Sequence, residues 1–290
     1  MNRFIERNLK WIFPLPAVLF VLLMMVFPII YTFYVSFNNW DMISGGTMSF
    51  IGLQNYIDML REPRFYNAVG LTLYFTVLAV SVETVLGVAI ALILNRDFIG
   101  KNLAKFFLLL PMVATPVAIG LAWTLFYEPT IGLGNYALKM LGLPVSKWLA
   151  SDLTVIPSLA LVDIWEWTPM IALIVMAGLA GISTEPYEAA VVDGASPFQI
   201  LRRVTLPLLS PTILIAVVLR SIDALKTFDI IYVMTTGGPG FASETLNLYA
   251  YNLSFNYFRF GAASSALVAL FAIVLGCSVF VLWTRKSSEF

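Results

Sequence analysis

Six apolar runs dominate this 290-residue chain: 11–37, 67–94, 104–127, 155–179, 206–233 and 262–283. Each is as long as the ~20 residues a helix needs to cross the hydrocarbon of a bilayer. In lipid every backbone amide must find its partner inside the segment, so runs of this kind are predicted to be helices. The fold class expected is an all-α polytopic membrane protein with six transmembrane helices. The first run is too long for a signal-peptide core and has no A-x-A-like cleavage site, so it is read as a retained span. Charge supports the same reading. Only 12% of residues are charged, against roughly a quarter in soluble chains, too few to coat a globular surface.

Several function classes are excluded by what is missing. There is no histidine, and the one cysteine, Cys277, lies inside an apolar run. Disulfides, Cys/His zinc sites and histidine-based acid–base catalysis are therefore ruled out, as is any enzyme that depends on them. No G-x-x-x-x-G-K-[ST] occurs, so the chain has no phosphate loop for a nucleotide. A formal net charge of zero argues against nucleic acid as a partner. Membrane lipid is the solvent this surface is built for.

Orientation follows from the basic residues. Arg3, Arg7, Lys10, Arg96, Lys101, Lys105, Arg202, Arg203, Arg285 and Lys286 fall on one side, ten against five on the other (Arg61, Arg64, Lys139, Lys147 and Arg259). The positive-inside rule then places the N- and C-termini in the cytoplasm, and with them the polar stretch 181–205. Tyr127, Trp148, Tyr249, Tyr251, Tyr257 and Phe258 mark the outer boundary, where amphipathic rings collect.

Within 181–205 the sequence spells two short helices around a hinge. Ser183 and Thr184 are suited to cap the first, and Asp193-Gly194 to stop it, since glycine takes the left-handed conformation freely. Ser196-Pro197-Phe198-Gln199 has capping-box spacing, Arg202 and Arg203 close the second helix, and Pro207 opens the next span. By itself this is compatible with a solvated connector or with a docking knob.

Here the chain resembles a family. Glu188-Ala189-Ala190, then Gly194, then Val204-Thr205-Leu206-Pro207 is similar to the cytoplasmic signature of ABC importer permeases, with Val204 where isoleucine is usual. Gly52-Leu53-Gln54-Asn55-Tyr56, Thr236-Gly237-Gly238-Pro239 and Gly261-Ala262-Ala263-Ser264-Ser265-Ala266 resemble the carbohydrate branch, the MalF-type sugar permeases. The resemblance implies a type I importer permease fold. It divides the chain into a first helix and outer loop (1–66), a core (67–284) and a cytoplasmic tail (285–290). It also implies that Glu188, Ala189, Ala190, Asp193 and Gly194 form a coupling helix docking on a separate ATPase dimer. ATP and Mg would then be bound by that partner, with no cofactor on this chain. The further partners implied are a second homologous permease in a heterodimer and an extracytoplasmic substrate-binding protein, in a bacterial cytoplasmic membrane.

Charged residues inside spans mark a pathway or a buried pair. Asp163 and Glu166, three apart, share a helix face, with Met170 following and Trp167 beside them. In the fifth run Asp223 lies about 60° and Thr227 about 20° from Arg220, with Asp229 on roughly the opposite face. Arg220 is about 21 Å along its helix at 1.5 Å per residue, a depth similar to that of Asp163. The two clusters are therefore expected to meet at one cavity. Carboxylates beside an indole suit a polyhydroxylated ligand. The resemblance agrees, and carries the pathway to Asp163, Glu166, Trp167, Met170, Arg220, Ala224, Thr227 and Asp229, joined by Asp223. Acids outnumber bases, which favours a neutral sugar or polyol, while Arg220 leaves room for an oxyanion such as a glycerol phosphate. Competing readings are an ion pair of Arg220 with Asp223 or Glu166, and Glu83 as a structural partner. A proton- or sodium-coupled secondary transporter is the rival from another class. It is disfavoured because neither inverted repeats nor broken helices are evident.

Overall fold

The computed structural model describes residues 10–11, 13–43 and 45–286. Arg3, Arg7 and the last four residues of the expected tail lie outside the described residues, as do the side chains of Arg285 and Lys286. The helices are α1 (Leu15–Ser36), α2 (Gln54–Arg61), α3 (Pro63–Asn95), α4 (Lys101–Val113), α5 (Pro116–Phe126), α6 (Leu133–Met140), α7 (Val155–Ala180), α8 (Glu185–Val192), α9 (Pro197–Ile200), α10 (Leu206–Leu225), α11 (Asp229–Thr235), α12 (Leu246–Tyr251) and α13 (Phe260–Lys286). Two-residue strands β1 (Asn38–Asn39) and β2 (Ser49–Phe50) pair antiparallel after α1. Among the described residues five helices are long and apolar enough to cross a membrane, or six if α4 and α5 count as one bent span.

The chain forms two compact units. One comprises Met1–Phe65 with Tyr249–Phe271. In it Asn55 Nδ2 donates to the carbonyls of Ser36 and Asn38 at 2.9 Å each, and Tyr56 meets Ser36 Oγ at 2.6 Å. Gly261 packs against the same Asn38 carbonyl so closely that any Cβ would collide with it. The asparagine of Gly52–Tyr56 and the glycine of the Gly261–Ala266 motif thus clamp one stretch of backbone. Tyr249 donates to Glu62 at 3.0 Å, and Arg64 lies over the rings of Tyr249 and Tyr257 at 5.6 and 5.3 Å.

The other unit comprises Tyr66–Leu248 with Ala272–Phe290. Its centre is α7, whose buried Ile171, Val175 and Leu179 pack with Ala91 of α3 and Leu209 and Ala216 of α10. Small residues permit this. A Cβ on Gly87 would lie 2.7 Å from Ile171, and one on Gly178 would lie 2.7 Å from Thr212. Membrane helices gain most of their attraction from such close van der Waals approach.

Two expected spans are interrupted. The third turns through 98° between α4 and α5. Thr115 caps α5 by accepting from Ala118 N at 3.4 Å, and Pro116 occupies the first turn, so a new helix starts there. The fifth ends at Leu225 rather than 233, with Lys226 as C-cap and α11 starting afresh at Asp229. In the opposite sense, α9 does not close at Arg202 and Arg203. It runs through a π turn, Leu201–Thr205, straight into α10. Proline cannot donate and crowds the carbonyl four residues back; the wide turn just before Pro207 relieves that crowding.

Candidate functional site

The central feature is a buried ion cluster joining three helices. Arg220 of α10, 1% exposed, donates from Nε and Nη2 to the two carboxylate oxygens of Glu83 on α3 at 2.8 and 3.2 Å. Nη2 also donates to Asp163 on α7. The Trp167 ring lies 5.2 Å from the guanidinium carbon, a cation–π distance. Glu83 and Asp163 are themselves 0% and 1% exposed. An ion group taken this far from solvent holds only when its hydrogen bonds are made, and here the guanidinium is bound on two sides. The competing reading that pairs Arg220 with Asp223 or Glu166 is therefore corrected, while Glu83 does stand as a structural partner. Its partners are Glu83 and Asp163, while Asp223 pairs with Lys226 at 3.5 Å in a half-exposed position.

Beside the cluster lies a cavity of about 350 Å³. Asp163, Glu166, Trp167, Arg220, Asp223, Thr227 and Asp229 line it, together with Lys226. Met170 and Ala224 do not; Ala224 is buried at 2% exposure and Met170 is half-buried. Pro116, Phe228 and Ile230 complete the wall without having been anticipated. Asp229 reaches the cavity because α10 stops at Leu225, which cancels the opposite-face placement expected of an unbroken helix. Breaks at Ala114–Thr115 and at 226–228 bring Pro116 and Asp229 to one place; Thr115-Pro116 was a legible helix start, whereas Lys226-Thr227-Phe228 carries no breaker residue.

The second candidate is the knob of α8 and α9. Glu188, Ala189, Asp193 and Gly194 are exposed, and Ala190 is half-buried. Thr184 is the N-cap, but neither it nor Ser183 makes a side-chain cap bond, contrary to expectation: Thr184 stands in helical geometry, with its carbonyl accepting from Tyr187 and Glu188. The far end behaves as a Schellman motif. Ala195 N donates to Ala190 O at 2.9 Å and Gly194 N to Val191 O at 3.0 Å, with Gly194 at φ +75°. Ser196 and Gln199 then complete a reciprocal capping box. Val191, Val192 and Phe198 are 63%, 86% and 68% exposed, so the knob offers apolar surface on a rigid elbow.

A smaller polar device orders the loop after α5. Glu128 accepts from the amides of Thr130 and Ile131 at 2.7 and 2.6 Å and from the Thr130 hydroxyl at 2.7 Å. These donors, the Ile131 amide foremost, hold its carboxyl below the usual carboxylate range.

Long apolar helices, a charged cleft and an exposed helical elbow are features a membrane permease needs. Residues 83–287 match the family of binding-protein-dependent transport system inner membrane components, and the chain belongs to that family. It is accordingly an inner-membrane permease subunit of an ABC transporter rather than an enzyme. The chain is 40% identical over 272 residues to a probable ABC transporter permease, y4oQ, of Sinorhizobium fredii, covering 93% of this chain and 88% of that one. It is 35% identical over 274 residues to the trehalose/maltose permease MalF of Thermococcus litoralis, covering 94% and 92%. To the sulfoquinovosyl glycerol permease SmoG of Agrobacterium fabrum it is 33% identical over 268 residues, covering 92% and 87%. Among solved structures, a bacterial ABC transporter that imports the acidic polysaccharide alginate superposes with a TM-score of 0.85 at 22% identity, covering 98% of each chain, and shares the fold. A broken helix is present here after all, so that criterion no longer separates the chain from a secondary transporter; family membership does.

Proposed function

We propose that the chain is one permease of a binding-protein-dependent importer whose cargo is a sugar, a polyol or a sugar derivative. The observation that carries this reading is the cavity, where carboxylates and an indole face converge from α7 and α10. Such a surface accepts hydrogen bonds from hydroxyls while offering an apolar face to ring carbons. The trehalose/maltose and sulfoquinovosyl glycerol relatives support it.

In this reading both termini and the α8–α9 knob face the cytoplasm, and Glu188 through Gly194 dock on an ATPase dimer that binds ATP and Mg. A second permease completes the pathway, and an external binding protein delivers cargo. Closure of the ATPases moves the knob and tilts the bundle between inward-open and outward-open states. Residues 1–66 form the peripheral part, 67–284 the transporting core and 285–290 a cytoplasmic tail.

The test is ATP-driven uptake by the complete complex in proteoliposomes, over a panel of radiolabelled sugars and polyols with phosphorylated glycerol and amino acids as controls. Accumulation of at least one carbohydrate, abolished by omitting ATP, is expected. Uptake confined to the non-carbohydrate controls would overturn the proposal.

A further inference from the structure

The cavity beside Arg220 is short of positive charge. Three buried carboxylates, Glu83, Asp163 and Glu166, share one buried guanidinium. That guanidinium is already committed to both Glu83 oxygens and to Asp163, with Trp167 at 5.2 Å. At the rim Lys226 is taken by Asp223, and Asp229 adds a further acid. Two carboxylate oxygens remain: Asp163 Oδ1 and Glu166 Oε2 are buried, have no hydrogen-bond partner within the protein, and belong to side chains that line the cavity. Acceptors left in this state cost more than an average hydrogen bond contributes, and ionised ones cost most.

We propose that the cargo supplies the missing donor as a cation. It is a sugar or polyol derivative bearing a protonated amine, whose ammonium donates to Asp163 Oδ1 and Glu166 Oε2 on one face of α7. An ammonium has three donors and no acceptor, which matches two unpartnered carboxylate oxygens. A phosphate, sulfonate or uronate would find the Nε and Nη2 donors of Arg220 already bound to Glu83 and Asp163, and it would meet an excess of like charge. The inference rests on the carbohydrate reading above and narrows it to one charge class.

The complete complex in lipid nanodiscs is titrated by saturation-transfer NMR with glucose, glucosamine and glucuronate, and with the matching galacto series. The hexosamine of each series should bind about ten-fold more tightly than the hexose, the gain of one charge-assisted hydrogen bond. The hexuronate should bind weakest. Glu166→Gln keeps the side-chain shape and should erase the amine preference, bringing the hexosamine to within about two-fold of the hexose on the same variant. A hexose or hexuronate binding as tightly as the hexosamine overturns the inference and leaves the carbohydrate reading to its uptake assay. Binding of none of these probes overturns it as well. The ranking for the unaltered complex decides the matter even if the variant fails to assemble.

Discussion

Glu83 sits in the membrane core because Arg220 needs it. Neither residue would be tolerated alone there: the guanidinium without its carboxylate is an uncompensated buried charge. Glu83→Ala should therefore destabilise the folded permease by about 3–5 kcal/mol, read as a lowered unfolding temperature of the purified complex, whereas Glu83→Gln retains one acceptor and loses less. Equal stability for Glu83→Ala would mean that the cluster is not structural. Glu128 offers a test with a defined sign. Its carboxyl is held below its ordinary value in the folded state, so its contribution is full at any pH above the unfolded value and is lost as pH falls through the folded one. Hydrogen-exchange protection of the Thr130 and Ile131 amides should stay constant through neutral pH and fade only in acid, below the usual carboxylate range. Glu128→Gln should flatten that dependence, and a loss of protection already at neutral pH in the unaltered protein would contradict it.

At the scale of elements, the α8–α9 elbow is built by backbone geometry. Gly194 at φ +75° is in a region costly to any residue with a Cβ, and the Ser196–Gln199 box satisfies amides that would otherwise be free. Ser196→Ala should cost about 1 kcal/mol locally and loosen the start of α9 in hydrogen exchange. Gly194→Pro, or Glu188→Lys, should abolish uptake while the protein still inserts into the membrane; full transport by either would remove the knob from coupling. This elbow was readable in the sequence because caps and stops are local chemistry: Asp193-Gly194 and Ser196-x-x-Gln199 act on their own neighbours. The long helices were readable for a similar reason, since crossing a bilayer imposes a run length on each one separately. The partner of Arg220 was not readable. Which helix lies beside which is decided by packing of Gly87 on Ile171 and of Gly178 on Thr212, and no spacing within one run encodes it. The break at 226–228 was equally hidden, because Lys226-Thr227-Phe228 carries no breaker residue and an unbroken helix would put Asp229 on the face opposite Arg220.

For the whole molecule, the topology proposed above has a direct check. With Cys277 replaced by alanine, a single cysteine introduced at Val192, 86% exposed, should react with a membrane-impermeant maleimide only from the cytoplasmic side. Labelling from outside would invert the assignment and with it the direction in which the knob faces. Family membership fixes the kind of machine, and the charge arrangement around Asp163, Glu166 and Arg220 is where the proposed choice of cargo would be made.

The π turn at Leu201–Thr205 makes α9 and α10 one continuous strut from the elbow to the cavity, about 35 Å from Pro197 to Arg220 at 1.5 Å per residue. Rocking that strut by about 5° about its elbow end would carry the guanidinium through about 3 Å, as far as a hydrogen bond is long. If the strut moves against α3 and α7, the Arg220 contacts to Glu83 and Asp163 cannot stretch by that much; they would let go and re-form. A smooth push at one end would then arrive at the other as a click, giving the cleft two settings instead of a continuum.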